Sequence, residues 1–230
     1  MPDRPETACL VVADISGYTS YLAGVELDHA QDILADLIDS VVRALRPPCR
    51  LAKLEGDAVF AYVATDTIDG SALQDTIEHC YIAFRRRLRD IGQASQGDCN
   101  ACALTPRLDL KFAVHHGPIA RQRMAGREEL VGRVVIVVHR LLKNSVQEAL
   151  GLGAYALYAE ACTRAMGQAD PAAAGASRHL DGGPTTALSA VTSAIADACT
   201  AAQSKVRKPG SRPANARPRS VPPSRTASAP

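Results

Sequence analysis

Two short apolar runs on either side of Glu55-Gly56-Asp57 constrain the fold of this 230-residue chain more than any other feature. Residues 49–54 and 58–63 have the composition of strands, and a polar tripeptide with a central glycine between them predicts a tight β-hairpin. A turn needs only the glycine, yet Lys53 and two carboxylates crowd around it. Asp57 is therefore either an ordinary turn residue or a carboxylate presented at a strand end for binding.

Periodicity in the rest of the chain predicts an α+β fold. Residues 9–15 are an apolar run typical of a buried strand, and residues 27–45 have the apolar spacing of an amphipathic helix that Pro47-Pro48 ends. Further on, we predict a helix at 72–91, a strand from Leu108 that Gly117-Pro118 breaks, a second strand at 119–124, a buried helix at 131–146, a final strand at 154–158 and a short helix at 160–166. The β-α-β-β-α-β beginning is typical of a ferredoxin-like antiparallel sheet with helices on one face.

Composition divides the chain into three parts. We predict one domain at 1–166, an Ala- and Gly-rich extension at 167–203 with a weak helix from Thr185 to Ala202, and a disordered tail at 204–230. The tail carries seven Lys or Arg residues and no Asp or Glu, which leaves 19 basic and 24 acidic residues in the body. Such a tail can contact nucleic acid or anionic lipid, but we favour a solvated extension.

The sequence also predicts where the protein resides. No apolar run approaches the roughly 18–20 residues that span a bilayer, and the N-terminus is too polar for a secretory signal, so we predict a cytoplasmic protein. The seven cysteines follow no regular disulfide spacing. For Cys99-x-x-Cys102, a zinc knuckle completed by His79 and Cys80, a redox pair and plain reduced cysteines all remain open, and we favour the last.

Two carboxylates are the strongest candidates for chemistry. Asp14 ends the first predicted strand, and in the predicted topology that strand lies beside the 49–63 hairpin, so Asp14 and Asp57 are expected at adjacent strand ends. Such a pair suits a hard cation, Mg²⁺ or Mn²⁺, which prefers oxygen ligands and binds nucleotide phosphates. The structural alternative is a helix cap for Asp14 and a turn for Asp57.

Four motifs together resemble the catalytic domain of class III nucleotidyl cyclases, the adenylate and guanylate cyclases. They are Asp14-Ile15-Ser16-Gly17-Tyr18-Thr19, Lys53-Leu54-Glu55-Gly56-Asp57, the strand and turn from Phe112 to Pro118, and the helix from Gly132 to Leu142. The resemblance spans roughly residues 8–162. It is greatest to an uncharacterised bacterial cyclase-like branch whose helix ends in His-Arg-Leu-Leu-Lys-Asn, here residues 139–144.

The resemblance implies a role for each matching residue. Asp14, Asp57 and the main-chain carbonyl of Ile15 would hold two metal ions, as in two-metal phosphoryl transfer. Backbone groups would bind the nucleotide phosphates, and Lys53 and Glu129 would recognise the purine, with Lys53 favouring ATP over GTP. The implied nucleotide-binding residues are Gly17, Tyr18, Thr19, Lys53, Gly56 and Glu129.

The last helix departs from the family pattern at Arg133, which stands where the family has an aspartate, and at Ile136. Arg140 matches the arginine that neutralises the transition state, whereas Ile136 stands where the family has the asparagine that orients the ribose. Loss of one positioning contact costs about 10²-fold in rate. The resemblance therefore implies a homodimeric cyclase that converts ATP to cyclic AMP and pyrophosphate, with activity that is weak or lost because of Ile136. The alternative is an inactive nucleotide- and metal-binding regulatory module that acts as a homodimer. A third alternative is a dimerisation domain for the basic tail.

Overall fold

The computed structural model describes residues 5–64, 69–94, 100–144, 146 and 153–166 in full, and the backbone of 177–180 and 183–187. Its elements, in chain order, are β1 (Glu6–Ser16), α1 (Tyr18–Leu22), α2 (Leu27–Leu45), β2 (Arg50–Glu55), β3 (Ala58–Ala64), α3 (Gly70–Ala94), α4 (Asn100–Leu104), a 3₁₀ turn (Thr105–Arg107), β4 (Asp109–Met124), β5 (Arg127–Val131), α5 (Arg133–Leu142), β6 (Tyr155–Ala159), α6 (Glu160–Ala165), β7 (Ser177–Leu180) and β8 (Gly183–Ala187). Within these residues, no helix combines the length and the apolar character that a bilayer crossing requires.

The strands form one mixed sheet in the order β2-β3-β1-β4-β6-β8-β7, and β5 pairs with β4 outside this row. Only the pairing of β4 with β6 is parallel among the described strands. The predicted neighbourhood of the first strand and the hairpin is confirmed, because Asp14 of β1 pairs with Ala58 of β3. On its other side Asp14 pairs with Lys111 of β4, so β1 lies between β3 and β4.

Alternation along β1 separates two hydrophobic cores. Cys9, Val11, Ala13 and Ile15 face one side of the sheet, whereas Ala8, Leu10 and Val12 face the other. The first core is covered by the apolar stripes of α2 and α3, as the helical periodicity predicts. The period of two in the strand thus places Asp14 on the second face, at the open end of β1.

Helix α5 corrects the expectation that the helices share one face. Val134, Val138 and Leu141 are buried against the second core, on the side opposite α2 and α3. The cause lies in the β4–β5 hairpin, whose last strand leads through Gly132 directly into α5. The helix begins at Arg133, not at Val131 as predicted, because Val131 still pairs with Ala120 in the hairpin.

The predicted break at Gly117-Pro118 is wrong, because β4 continues through both residues to Met124. Pro118 is accommodated opposite Thr7 of β1, and Gly117 is needed for packing rather than for a turn. A Cβ atom at Gly117 would lie 2.5 Å from Cγ1 of Val134, so a larger residue would push α5 off the sheet. The actual turn is Ala125-Gly126, where φ is 50° and 80°, as in a type I′ hairpin.

The end of the described chain extends the sheet beyond the predicted final strand. That strand, predicted at 154–158, is β6 at Tyr155–Ala159, and β8 pairs with its outer edge. Thr185 lies in β8, so the weak helix predicted from this residue is wrong at its start. The rest of that helix and the basic tail lie outside the described residues.

Candidate functional site

Asp14 and Asp57 lie at the ends of two neighbouring strands. Asp14 is the antiparallel partner of Ala58, the residue that follows Asp57 in the turn between β2 and β3. The next backbone N–H along β1, that of Ile15, donates a hydrogen bond to the carbonyl of Asp57 at 3.3 Å. Gly56 makes the turn possible with a φ of 65°, in the left-handed region. The hairpin and the strand order together bring the two predicted metal ligands to one site.

The two carboxylates influence each other electrostatically. Burial, and then the negative charge of Asp14, raise the pKa of the Asp57 carboxyl above its usual value. The backbone hydrogen bond of Asp57 and the positive charge of Lys111 oppose this rise without cancelling it. Two like charges close together in a partly dry site favour a proton or a bound cation. This end of the sheet therefore carries an excess of negative charge.

Lys111 is a third member of the site that the sequence analysis missed. Its Nζ lies 2.9 Å from Oδ2 of Asp14, and only about a fifth of either side chain is exposed to solvent. Burial lowers the pKa of Lys111, but the hydrogen bond and charge of Asp14 outweigh burial and hold this pKa above its usual value. A signal was available, because Lys111 alternates with the core residues Leu110 and Phe112 of a half-buried strand.

The donor set suits a hard cation. Asp14 and Asp57 offer carboxylate oxygens, and the site is at the solvent end of the strands, where water can complete an oxygen shell. Among the described residues, no group of three His, Cys, Asp or Glu side chains comes close enough to hold a metal by itself. The ammonium group of Lys111 already pairs with one of the two carboxylates. A cation would therefore compete with Lys111 for Asp14.

Residues 17–19 turn the chain away from β1 beside this site. Gly17 has a φ of 84° and begins the five-residue helix α1. A Cβ atom on Gly17 would lie 3.2 Å from the carbonyl oxygen of Arg107, so this tight approach also favours glycine. Burial, and then the charge of Asp57, raise the pKa of the Tyr18 hydroxyl. Tyr18 and Asp57 are thus electrostatic neighbours, and Thr19 follows on the exposed side of α1.

A second charged cluster, the Lys53 cluster, consists of Lys53, Glu55, Glu129 and His139. Lys53 Nζ lies 2.9 Å from Oε1 of Glu55 and 3.4 Å from Oε2 of Glu129. Nε2 of His139 lies 2.6 Å from the other oxygen of Glu55, Oε2. The sequence had paired Lys53 with Glu129 only through a resemblance. The contacts of Glu55 with His139 were not predicted, because the two residues are 84 positions apart.

Both ring nitrogens of His139 face hydrogen-bond acceptors. Its Nδ1 lies 2.7 Å from the carbonyl oxygen of Val135, which can only accept a hydrogen bond, so Nδ1 carries a proton. Nε2 faces a carboxylate, which also accepts. Burial raises the pKa of Glu55, but the hydrogen bonds and charges of Lys53 and His139 outweigh burial and hold it below its usual value. The 2.6 Å between Nε2 of His139 and Oε2 of Glu55 requires one proton between these two atoms.

The outward face of α5 carries Ile136 and Arg140, one helical turn apart. Ile136 is 58% exposed, although the helix was predicted to be buried, and Arg140 is exposed as well. Arg140 makes no ion pair with a carboxylate of the described part of the chain, although an arginine in so apolar a helix would be expected to have such a partner. Within this single chain, Arg140 also makes no contact with Asp14 or Asp57.

The cysteines give no sign of a zinc site in the described residues. Cys102 is buried in α4 with its Sγ 3.9 Å from Nε2 of His29, while Cys99 lies outside the described residues. Cys80, which was considered as a further ligand, contacts the carbonyl of Val41, and burial raises the pKa of its thiol. None of the five described cysteines forms a disulfide, and all five are buried.

Comparison with known proteins gives a family and a fold. The model of the family described as "Protein of unknown function (DUF2652)" matches residues 34–149. The chain is 37% identical over 113 residues to the "Uncharacterized protein Rv2561/Rv2562" of Mycobacterium tuberculosis (strain ATCC 25618 / H37Rv), covering 49% of this chain and 52% of that protein. The chain thus spans about half the length of this curated relative.

Among solved structures, the chain is similar to the guanylyl cyclase Cya2, with a TM-score of 0.57 at 15% identity over 80% of this chain and 91% of that one. It is also similar to a bacterial light-regulated adenylyl cyclase, with a TM-score of 0.57 at 15% identity over 72% of this chain and 46% of that one. A third structure is a class III adenylyl cyclase-like ATP-binding protein from Pseudomonas aeruginosa, with a TM-score of 0.51 at 20% identity over 70% of this chain and 35% of that one. These likenesses confirm the predicted α+β fold of class III cyclase type.

Proposed function

We propose a function for this chain, which belongs to the DUF2652 family of proteins of unknown function, from its fold and its two charged clusters. The chain binds a purine nucleoside triphosphate together with Mg²⁺ or Mn²⁺, and it acts as a nucleotidyl cyclase that converts ATP to cyclic AMP and pyrophosphate. The observation that carries this proposal is the pair of carboxylates, Asp14 and Asp57, at adjacent strand ends of a class III cyclase fold.

In this reaction the ribose 3′-hydroxyl attacks the α-phosphate, and pyrophosphate leaves. Asp14 and Asp57, with the carbonyl of Ile15, would hold two divalent cations, which would supply positive charge to the phosphates and make the hydroxyl more acidic. Lys111 is within reach of the same carboxylates, so it can exchange Asp14 for a phosphate oxygen when nucleotide binds. Gly17, Tyr18 and Thr19 provide the backbone and hydroxyl groups that line the phosphate side of the site.

The Lys53 cluster recognises the base in this proposal. An ammonium group donates hydrogen bonds and a carboxylate accepts them, so Lys53 suits the unprotonated N1 of adenine and Glu129 suits its 6-amino group. In guanine the same two positions carry an N–H donor and a carbonyl acceptor. The 3.4 Å between Lys53 Nζ and Glu129 Oε2 allows one purine edge to contact both side chains. The cluster therefore favours ATP over GTP.

Arg140 acts across a homodimer in this proposal. The side chain lies on the exposed face of α5 and has no carboxylate partner among the described residues, so it is free to contact a nucleotide held by the Asp14–Asp57 site of a second copy. A positioned cation beside the α-phosphate stabilises the charge that develops in the transition state. The complete site then requires two chains.

A second candidate function is nucleotide binding without turnover. The observation that favours it is Ile136, which is 58% exposed one turn before Arg140 and cannot donate a hydrogen bond to the ribose. The similar structure from Pseudomonas aeruginosa is described as a class III adenylyl cyclase-like ATP-binding protein, which supports nucleotide binding as a role for this fold. In this alternative Asp14, Asp57 and the Lys53 cluster keep their roles, and the dimer signals through nucleotide occupancy.

One set of measurements separates the two functions. The purified full chain is incubated with ATP or GTP and Mn²⁺, cyclic nucleotide is measured, and melting is followed with and without Mn²⁺-ATP. Cyclic AMP that disappears in Asp57→Ala supports the cyclase. A melting temperature raised by Mn²⁺-ATP without product supports the binding module, because a ligand at 100 times its Kd stabilises the folded state by about 2.7 kcal/mol. Neither product nor a shift in melting temperature would overturn both.

A further inference from the structure

We propose that Glu55 and His139 are positioning residues for base recognition, a clamp that orients Lys53 and leaves Glu129 able to accept the adenine amino group. This inference rests on the proposed function and adds two residues to it. Neither residue was a candidate from the sequence, and both come from the geometry of the Lys53 cluster. The clamp also links the base-recognition hairpin to α5, the helix that carries Arg140.

Lys53 lies between two carboxylates. Its Nζ is closer to Glu55, at 2.9 Å, than to Glu129, at 3.4 Å. A lysine has four rotatable side-chain bonds, so a single partner on a flexible hairpin would leave its ammonium group poorly oriented. The ammonium group of Lys53 therefore interacts more strongly with Glu55 than with Glu129. Glu129 therefore retains acceptor capacity for a ligand, since a carboxylate can accept several hydrogen bonds.

His139 immobilises Glu55. The imidazole is held at both ring nitrogens, by the carbonyl of Val135 at 2.7 Å and by Oε2 of Glu55 at 2.6 Å. Its ring also packs edge-on against Phe60, with centroids 5.0 Å apart and an interplanar angle of 71°. A ring fixed on three sides gives Glu55 a rigid partner on α5. Each oxygen of Glu55 then has its own partner, His139 on one side and Lys53 on the other.

Lys53 faces two carboxylates, one of which also contacts His139, and all four side chains are partly buried. Replacing Glu55 by a neutral residue would leave Lys53 to pair with Glu129 alone, which would withdraw Glu129 from the base. Replacing His139 would release Glu55 and loosen Lys53. Both changes should weaken recognition of the adenine edge without affecting the phosphate side of the site, where Lys111 and Asp14 lie.

The test is calorimetric binding of three probes to the full chain in Mn²⁺: ATP, GTP and inorganic tripolyphosphate, which has no base. The variants are Glu55→Gln, His139→Gln and the double variant. Glu160→Gln is the matched control, since Glu160 is 31% exposed, against 29% for Glu55, and also pairs with a cation, Arg164. We expect each single variant to lose about tenfold in ATP affinity, as for one charge-assisted hydrogen bond, and to change tripolyphosphate affinity by less than about twofold.

The double variant distinguishes positioning from a general structural role. If Glu55 and His139 act as one clamp, the double variant loses about as much ATP affinity as either single variant, because the coupled contact is already broken. Equal losses for ATP, GTP and tripolyphosphate, or an unchanged ratio of ATP to GTP affinity, would overturn the clamp. Should His139→Gln fail to fold, the ratio of ATP to GTP affinity in Glu55→Gln tests the clamp by itself. A wild-type chain that binds none of the three probes would instead overturn the proposed function itself.

Discussion

On one face of the sheet, α2 and α3 cover an apolar core in which Leu37 and Phe84 are completely buried. On the other face, α5 covers a smaller core, and the charged residues of both clusters lie around its border. The two faces belong to the same strands, and β1 contributes alternate residues to each. The difference indicates that most of the stability comes from the first face, while the second face exposes polar groups that a ligand can contact.

The largest expected effect comes from the first face. Phe84→Ala removes a fully buried aromatic ring and should lower the free energy of unfolding by about 3–5 kcal/mol, as for other large-to-small core changes. Urea denaturation measures this loss. Leu141→Ala, at the α5 face, is the counterpart and should cost less, because α5 can move towards the cavity. A larger loss for Leu141→Ala than for Phe84→Ala would reverse the assignment of stability to the first face.

A smaller effect is expected at the charged border of the second face. Lys111→Met leaves Asp14 and Asp57 without their shared cation and should lower the free energy of unfolding by about 1–3 kcal/mol, since the lost hydrogen bond is charge-assisted and mostly buried. The same variant should bind Mn²⁺ more tightly, because the metal no longer competes with an ammonium group. Calorimetry with Mn²⁺ alone checks this, and weaker Mn²⁺ binding would contradict the competition.

The next effect depends on pH. Because burial and Asp14 raise the pKa of Asp57 in the folded chain, the folded state binds this proton more tightly than the unfolded state does. The contribution of Asp57 to stability is therefore greatest below about pH 4 and falls as pH rises through the window above the ordinary aspartate value.

Asp57→Asn removes this dependence. Without metal, the variant should equal or exceed the wild type in stability by up to about 1 kcal/mol at pH 7, and the difference should vanish near pH 3.5. Urea denaturation of both proteins across this range gives the difference directly. A variant less stable than the wild type at pH 7 would show that the carboxylate is favourable to folding. Mn²⁺ binding should be lost in either case.

The smallest effect on stability is expected on the outer surface of α5. Ile136→Asn should change the free energy of unfolding by no more than about 0.5 kcal/mol, because the side chain is 58% exposed. Under the proposed cyclase function it should raise cyclic AMP formation, since asparagine can hydrogen bond to the ribose. Val138→Asn is the buried control on the same helix and should be strongly destabilised. Equal losses of stability in both variants would show that Ile136 is covered.

Local patterns were enough to predict the elements whose signals do not depend on distant residues. Helix α2 begins at Leu27 and ends at Leu45 as predicted, because its apolar period is regular and two prolines follow it. The hairpin was also predicted within one residue at each end. The break at Gly117-Pro118 was wrong, because pairing with β1 and packing of Val134 outweigh the local tendency of these residues to turn.

The candidate site divides in the same way. The neighbourhood of Asp14 and Asp57 follows from a hairpin beside the first strand, which the order of elements predicts. The alternation of Lys111 with core residues was a local signal, but its pairing with Asp14 depends on the register of β4 against β1. The contact between Glu55 and His139 joins a strand to a helix on the second face, and the sequence had placed the helices on one face only. Contacts of this kind depend on tertiary packing that no local period encodes.

The alternation of side chains along β1 also fixes the position of the carboxylate site. Ile15 is buried in the first core, and its neighbour Asp14 points to the second face. A slip of β1 by one residue would bury Asp14 among aliphatic side chains and expose Ile15. It would also move all the other side chains of the strand to the wrong face of the sheet. The apolar core therefore sets the distance between the two aspartates with the accuracy of a backbone register. Mutations that loosen the core far from the site are therefore expected to weaken the affinity of the carboxylate site for Mn²⁺ before they unfold the chain.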